Sequence, residues 1–329
     1  MPGHNITLFR LFGFEVRANL SWVLLAILVA WSLAAGYFPA YYPDLPQSTY
    51  WSLGILGMAG LFASLILHEM SHAMVARARG MKIGGITLFL FGGVAELKEE
   101  PPTPRIEAEV AAAGPVMSFA LAGLFHLLAG ALAAMGSAAP LIGLAEYLAT
   151  INLVLALFNL VPGFPLDGGR LLRAFLWSRR GNLWGATRTA SRVGQGFAAL
   201  LMLLGGWAIL TGAGLGGMWW VLIGLFLWSA ARGSLAQLMA HRALTGMTVA
   251  QLMNAEPVSV PPDLPLDRFV EDYAYRHHFS LYPVTRDGRL IGAVRTRDVG
   301  RIAPGDWSRH DISTVMQPRA AVPEIGPDE

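Results

Sequence analysis

His68-Glu69-Met70-Ser71-His72 lies in the hydrophobic segment 51–75, and this combination decides both the fold and the chemistry of the chain. On a helix, residues four apart lie one above the other, so the two imidazoles share a face. That spacing suits two ligands of one zinc ion, with Glu69 close enough to take a proton from the water that the metal holds. Because residues 61–67 are almost wholly apolar, we expect the site to lie within a bilayer.

The composition of the 329-residue chain is that of a membrane protein. Hydrophobic residues make up 54% and charged residues only 14%, whereas a soluble chain has about 25% charged residues. Mean hydropathy is +0.48. The net charge of +2 is too small to favour nucleic acid as a partner. There is no cysteine, so any metal must be bound by His, Asp or Glu.

Six segments have the character of transmembrane helices, which need about 20 mostly apolar residues. They lie at 20–38, 51–75, 106–135, 141–161, 195–211 and 217–232. We interpret the first as a retained span, because no signal-cleavage pattern clearly ends it. Alternate loops carry no Lys or Arg, while the loops on the other side carry many. The positive-inside rule therefore predicts a multi-pass protein of the cytoplasmic membrane with both termini in the cytoplasm.

Two regions differ from the spans. Residues 81–104 are rich in β-branched residues, aromatics and glycine, which predicts strands with tight turns. Open strands cannot face lipid with unpaired amides, so we expect a hairpin that enters a protein-lined cavity. From about residue 246, charges and prolines replace the apolar runs. The predicted fold is mainly α, with a six-span bundle and a small membrane-associated hairpin or sheet over 1–240, followed by a small α/β domain in the cytoplasm.

A catalytic zinc needs a third protein ligand beside the two histidines, with water in the fourth position. The best candidate is Asp167, which lies in the segment 159–170 where prolines and glycines end span four. An acid at membrane depth is costly and typical of a functional site. Asp167 as a simple helix cap is the structural alternative. Glu96 is the rival ligand, but its charged neighbours are typical of a solvated loop.

The motifs together resemble the site-2 protease family, the intramembrane zinc metalloproteases. The resemblance rests on His68-Glu69-Met70-Ser71-His72 and on Asn159-x-x-Pro162-x-x-Pro165-x-Asp167-Gly168, while Ala113-Gly114-Pro115 is similar to the small-residue motif of the family. It covers about residues 5–235, and residues 6–17 resemble the amphipathic N-terminal strands of the six-span branch. It implies a protease that cuts a transmembrane or membrane-proximal protein within the bilayer, with the hairpin binding the unwound substrate by strand addition.

The resulting hypothesis gives each motif residue a role. His68, His72 and Asp167 hold Zn²⁺, and Glu69 is the general base. Asn159 donates a hydrogen bond to the oxyanion or holds the substrate strand. This last role assumes that span four stays helical towards Asp167, which would put both side chains on one face. An interhelical hydrogen bond is the structural alternative for Asn159.

Residues 248–302 resemble a CBS module. The resemblance rests on Val249-x-x-Leu252-Met253, Leu281-Tyr282-Pro283-Val284, Asp287-Gly288-Arg289-Leu290-Ile291-Gly292 and Asp298-Val299. Such modules work in pairs and bind adenine nucleotides, so it implies ATP or AMP as ligand, with Asp298 at the ribose, and a homodimer through the modules.

The CBS resemblance has two departures. Arg295 precedes Asp298 by three residues, where the family has Ser or Thr, and Thr296 is out of register, so the phosphate contact differs. Residues 311–316 resemble the start of a second module. We therefore predict a first module at 246–310 and the start of a second, incomplete one at 311–329.

Two other function classes remain open. One is a transporter or channel in which the intramembrane His, Glu and Asp relay protons, although the sequence has no clear inverted repeat. The other is an inactive membrane scaffold whose CBS part senses nucleotide. Neither requires zinc, so the zinc content per chain separates both from a protease.

The identity of the third ligand can be tested by metal analysis. Asp167→Asn should remove zinc from the purified protein, because a neutral amide is a much weaker zinc ligand than a carboxylate. Glu96→Gln should leave zinc in place. The readout is the molar zinc content of each protein by mass spectrometry, and loss of zinc from E96Q but not from D167N would assign the ligand to Glu96.

Overall fold

The computed structural model describes residues 5–89, 92–97, 99–212, 214–244 and 247–326. The chain divides into two compact units, Met1–Ala240 and His241–Glu329. The first unit is mainly helical with one small sheet, and the second is a small α/β unit. The predicted fold class is confirmed.

In the described part of the first unit, six helical segments are long and apolar enough to cross a membrane. The first comprises α1, a π-helical turn and α2. A shorter helix, α6, lies between the fourth and fifth. The bounds are Leu20–Ser32 for α1, Leu33–Tyr37 for the turn, Phe38–Tyr41 for α2, Gln47–Ala78 for α3, Pro104–Ala134 for α4, Ala139–Asn159 for α5, Asp167–Arg180 for α6, Leu183–Leu210 for α7 and Gly214–Leu244 for α8.

The fifth spanning helix is longer than the predicted span 195–211. α7 begins at Leu183, because the Asn182 side chain accepts a hydrogen bond of 3.1 Å from the backbone N–H of Gly185 and so caps the helix. The added turns carry Arg188 and Arg192. Hydropathy marks only the apolar part of a helix, whereas the cap marks where the helix begins.

The sheet of the first unit joins two distant parts of the chain. Its strands are β1 Asn5–Leu11, β2 Phe14–Asn19, β3 Ile83–Phe89 and β4 Gly92–Leu97, in that order. β2 and β3 are parallel, while the other neighbouring pairs are antiparallel. The predicted hairpin at 81–104 is therefore part of a larger sheet with the N-terminal strands, and residues 90, 91 and 98 of that segment lie outside the described residues.

This sheet packs against the helix that carries the histidine motif. A shared core joins Phe14 and Val16 of β2 and Ile86 and Leu88 of β3 to Met70 of α3. Met70 lies between the two motif histidines, so the sheet supports that helix at the level of the site.

The C-terminal unit is built around a three-stranded antiparallel sheet. Asp287 and Gly288 have φ values of 51° and 75°, as a tight hairpin turn between β5 and β6 requires. The bounds are Val249–Leu252 for α9, Leu266–Arg268 for α10, Phe269–Ala274 for a π-helical turn, Tyr275–His277 for α11, Leu281–Arg286 for β5, Arg289–Arg295 for β6, Thr296–Val299 for α12, Pro304–Arg309 and Arg319–Ala321 for two 3₁₀ turns, Ile312–Val315 for α13 and Gln317–Pro318 for β7.

The two copies of the CBS start motif have different surroundings in this unit. Ile312 and Val315 of the second copy are buried in the core formed by residues 260–299. The matching Val249 of the first copy is half-buried, and the matching Leu252 is 52% exposed. The second copy therefore contributes to the core of the first module, while the boundary between modules at 310 and 311 stays a prediction.

Candidate metal centre

Two histidines of α3 and the first residue of α6 come together inside the helical unit. His68 Nε2 and His72 Nε2 are 3.3 Å apart. Asp167 Oδ2 lies 3.2 Å from each of them. All three residues are buried, with 2%, 4% and 8% of their surfaces exposed. Within the described residues, this is the one group of side chains whose ligand atoms lie close enough together to hold a metal ion.

The spacing and chemistry of these atoms fit zinc. A tetrahedral zinc ion with bonds of about 2.0–2.1 Å holds its ligand atoms about 3.3 Å apart. The observed separations of 3.2 and 3.3 Å agree with that value. Two imidazoles and one carboxylate also form a donor set used by catalytic zinc sites, which leave the fourth position to water.

The outer nitrogen of each imidazole has its own partner on α4. His68 Nδ1 lies 2.8 Å from the hydroxyl oxygen of Ser118. His72 Nδ1 lies 2.7 Å from the backbone carbonyl oxygen of Val110, which can only accept a hydrogen bond. Such partners orient metal-binding histidines by fixing the ring and leaving Nε2 for the ion. The arrangement therefore presents both Nε2 atoms towards Asp167.

Gly114 of α4 leaves the space in which the imidazoles lie. A Cβ atom at this position would collide with Nε2 of both His68 and His72. Gly114 is the central residue of the small-residue motif, and its role is therefore steric: any side chain here would push the two rings away from Asp167.

Asp167 reaches the histidines from a tightly packed loop. α5 ends at Asn159, residues 160–166 form turns and bends, and α6 begins at Asp167 itself. Leu166, not Asp167, is the N-cap, and no side-chain cap is present, so the alternative role of Asp167 as a cap does not match the structure. Gly168 allows the loop to close, because a Cβ there would collide with the carbonyl oxygen of Leu160.

The break after α5 also corrects the reasoning for Asn159. Helical periodicity cannot relate Asn159 to Asp167, because the helix stops between them. The Asn159 amide donates a hydrogen bond of 3.1 Å to the carbonyl oxygen of Leu155 within α5. Its role in binding the oxyanion or substrate stays a prediction, now with a different structural basis.

Asn159 and Glu69 both line an apolar cavity of about 460 Å³, and this cavity is the structural basis for the proposed role of Asn159. Apart from the Trp219 indole, these two residues supply the polar side chains among the described residues that line it. The volume lies within the range of ligand-binding cavities, about 300–1,000 Å³. The lining residues are Leu25, Leu61, Phe62, Leu65, Glu69, Phe89, Leu155, Phe158, Asn159, Pro165, Leu166, Trp219, Ile223, Phe226, Leu227 and Ala230.

The remaining candidates lie elsewhere. The backbone of Glu96 belongs to β4 rather than to the expected loop, and its side chain lies outside the described residues. Asp298 is 2% exposed, and its Oδ1 is 3.0 Å from Nη2 of Arg301. In the same C-terminal unit, a separate cavity of about 350 Å³ is lined by Ser280, Leu281, Arg295, Thr296 and Arg297.

Sequence reasoning missed the residues of α4 that support the histidines. Ser118 and Val110 belong to no motif, and a serine in a spanning helix is not distinctive by itself. One signal was available: Ser118 follows Gly114 by four residues and therefore lies on the same face of α4.

Comparisons with known proteins identify two families that match parts of this chain. The family described as Peptidase family M50 matches residues 56–141 and 130–204, and the CBS domain family matches residues 249–303. "Putative zinc metalloprotease Rip3" of Mycobacterium tuberculosis is 39% identical over 325 residues, covering 98% of this chain and 82% of the relative. "Zinc metalloprotease MJ0392" of Methanocaldococcus jannaschii is 29% identical over 88% of this chain and 78% of its own length.

A solved structure shows the same relationship. The "Site-2 Protease from Methanocaldococcus jannaschii" aligns with a TM-score of 0.50 and 26% sequence identity, covering 70% of this chain and 95% of that one. The chain therefore belongs to peptidase family M50, the site-2 proteases. It is a multi-pass zinc metalloprotease with a CBS domain in its C-terminal unit.

The steric role of Gly114 predicts a loss of metal on a minimal substitution. Gly114→Ala should lower the zinc content per chain at least tenfold, because the added methyl group occupies the space of both imidazoles. Gly123→Ala is the matched control on the same helix, where an added Cβ meets no atom within 4 Å. Zinc is measured by mass spectrometry on the monodisperse fraction of each variant, and a G114A protein with full zinc would contradict the steric role.

Proposed function

We propose that the protein is an intramembrane endopeptidase, which hydrolyses a peptide bond within or next to a transmembrane segment of another membrane protein. The observation that carries the proposal is the buried cluster of two imidazoles and one carboxylate on apolar helices, beside a cavity that is almost wholly apolar. A soluble loop substrate would not need such a cavity, whereas an apolar segment from a bilayer matches its walls.

In this proposal, His68, His72 and Asp167 hold the metal. When bound, zinc would act as a Lewis acid that polarises the scissile carbonyl and lowers the pKa of water to about 7. Ser118 and Val110 keep the two imidazoles in the orientation that the metal requires.

Glu69 performs the proton transfers. It takes the proton of the attacking water and then delivers it to the nitrogen of the leaving amine. Glu69 is the one carboxylate among the described residues that line the cavity, and it follows the ligand His68 directly in the sequence.

Asn159 binds the substrate or the developing oxyanion from the same cavity. A carboxamide has two N–H donors. One hydrogen bond to Leu155 leaves the other N–H of Asn159 for a substrate carbonyl. An N–H directed at developing negative charge stabilises the transition state of peptide hydrolysis.

The substrate enters as an unwound strand. β4 is the last strand of the sheet in the described part of the chain, and Phe89 at the end of the neighbouring β3 lines the cavity. A substrate that adds a strand to β4 would present its backbone beside that cavity. Because the substrate helix must unwind first, we expect cleavage near residues that weaken helices, such as Gly, Pro or Asn.

The same proposal includes the location of the enzyme. The distribution of Lys and Arg between loops supports insertion in the cytoplasmic membrane with both termini in the cytoplasm. His72 lies near the end of α3 that leads into the basic residues Arg77 and Arg79. The metal site would then lie a few turns inside the cytoplasmic face.

The activity test is cleavage of a reconstituted model transmembrane peptide that contains a Gly-Asn pair. The wild-type enzyme should cut it, and 1,10-phenanthroline should block the reaction. Glu69→Gln should retain zinc and lose activity by about 10²–10⁴-fold, the usual contribution of a general base. Glu146→Gln, a change at an exposed glutamate of α5, is the control. A fully active E69Q would show that Glu69 is not the base, and no cleavage by zinc-loaded wild type would contradict the proposed activity.

A second proposed property is nucleotide sensing by the C-terminal unit. Its cavity of about 350 Å³ is lined by Arg295 and Arg297 together with Ser280 and Thr296. Guanidinium and hydroxyl groups are donors that bind phosphate. Asp298 directly follows this lining in sequence, so it remains the candidate for the ribose, and a homodimer through the modules also stays a prediction.

Calorimetry on the full-length protein tests this second property. ATP or AMP should produce a saturable heat, and Arg295→Ala should weaken binding at least tenfold because it removes a phosphate donor. Arg309→Ala, at an exposed position outside the cavity, should bind like the wild type. The absence of heat at millimolar ATP and AMP would contradict nucleotide binding.

A further inference from the structure

A buried ion pair joins the helix that begins with Asp167 to the helix that supports the histidines. Arg173 of α6 donates from Nε to Oε1 of Glu107 of α4 over 2.5 Å. The two side chains are 8% and 0% exposed. Burying two charges is costly and is repaid only by close, well-directed contacts. This pair therefore fixes the position of α6 relative to α4 more tightly than an exposed pair would.

Arg173 has two further contacts. Its Nη2 donates to Oε2 of Glu100 over 3.2 Å, and its Cζ lies 5.2 Å from the centre of the Phe164 ring. Glu100 lies on the segment that leaves β4, and Phe164 lies in the loop that leads to Asp167. One guanidinium thus contacts α4, the segment after the sheet and the loop before α6.

The position of this contact matters because it lies on the same short helix as Asp167 and beside the tightly packed loop that leads to it. The preceding residues 160–166 form only turns and bends. The 14-residue helix α6 carries Asp167 at its start and Arg173 less than two turns further on. A small rotation or shift of α6 would move the Asp167 carboxylate away from the imidazoles.

α4 provides a fixed reference for that position. Glu107, Val110, Gly114 and Ser118 follow one another at intervals of three, four and four residues, so they share one face of α4. Val110, Gly114 and Ser118 contact or make room for the histidines. Glu107 extends the same face towards α6.

We propose that Arg173 and Glu107 are positioning residues for the third metal ligand. They hold α6 against the face of α4 that orients the histidines, so that Asp167 Oδ2 lies 3.2 Å from both Nε2 atoms. The proposal rests on the proposed metal-binding role of Asp167. The shape of the guanidinium is essential to it, because Nε and Nη2 contact different carboxylates and the point charge of a lysine cannot reproduce that fork.

Metal affinity measured on full-length protein in detergent tests this proposal. Arg173→Lys and Glu107→Gln should each weaken zinc binding about 10-fold, the lower end of the effect of removing a hydrogen-bond partner of a metal ligand, because the pair acts on Asp167 only through the position of α6. The affinity is read by competition with a fluorescent zinc chelator. The visible absorption of the Co²⁺-substituted protein should change in both variants, because the carboxylate leaves its tetrahedral position. If the pair only stabilised the fold, these substitutions would lower the unfolding temperature but leave the zinc affinity and the cobalt spectrum unchanged.

Glu109→Gln is the matched control on the same helix. Glu109 pairs with Arg79 and Arg105, at 2.6 and 3.0 Å, and neither residue belongs to α6. Its zinc affinity and cobalt spectrum should equal those of the wild type. If E107Q does not fold, the milder Glu107→Asp and R173K variants decide the question.

Wild-type zinc affinity and cobalt spectrum in folded R173K and E107D would overturn the proposal. Its failure is distinct from that of the proposed activity. A wild-type protein that binds zinc but cleaves no membrane peptide would contradict the protease role while leaving these metal measurements valid.

Discussion

One geometric constraint underlies this structure: three candidate ligand atoms lie within 3.3 Å of one another inside a bundle of apolar helices. Two come from one turn of α3, and their spacing is fixed by the helix itself. The third, on Asp167, comes from a separate element almost a hundred residues later, so its position depends on how helices pack. Among the described residues, the buried contacts of Ser118, Val110 and the Glu107–Arg173 pair lie around these atoms and the helices that carry them.

α4 provides none of the ligands, yet it organises the site. One of its faces presents a carboxylate, a backbone carbonyl, a glycine and a hydroxyl to the two elements that carry the ligands. The carbonyl and the hydroxyl orient the imidazoles, and the glycine leaves space for them. The carboxylate forms the ion pair with α6. Glu69 also lines the apolar cavity, which we propose as the binding site of a substrate of matching character. The candidate metal centre and the proposed substrate cavity thus meet at the consecutive residues His68 and Glu69.

Local signals were sufficient to predict much of this. Hydropathy predicts the spans, and helical spacing predicts that the two histidines share one face. The cost of an acid beside prolines and glycines at membrane depth indicates Asp167 as the third candidate ligand. Long-range relations were not predictable. The pairing of β2 with β3 joins strands separated by two spans, and the partners of the histidines are ordinary residues. The assumption that span four continues past Asn159 failed because the loop that follows breaks the helix.

X-ray absorption at the zinc edge of the purified full-length protein tests whether His68, His72 and Asp167 bind one zinc ion. We expect one zinc per chain in a four-coordinate shell of nitrogen and oxygen at about 2.0–2.1 Å, with the outer-shell scattering of two imidazoles. A shell with one imidazole or none, or a protein that binds no zinc when supplied with it, would contradict a zinc site formed by these three side chains.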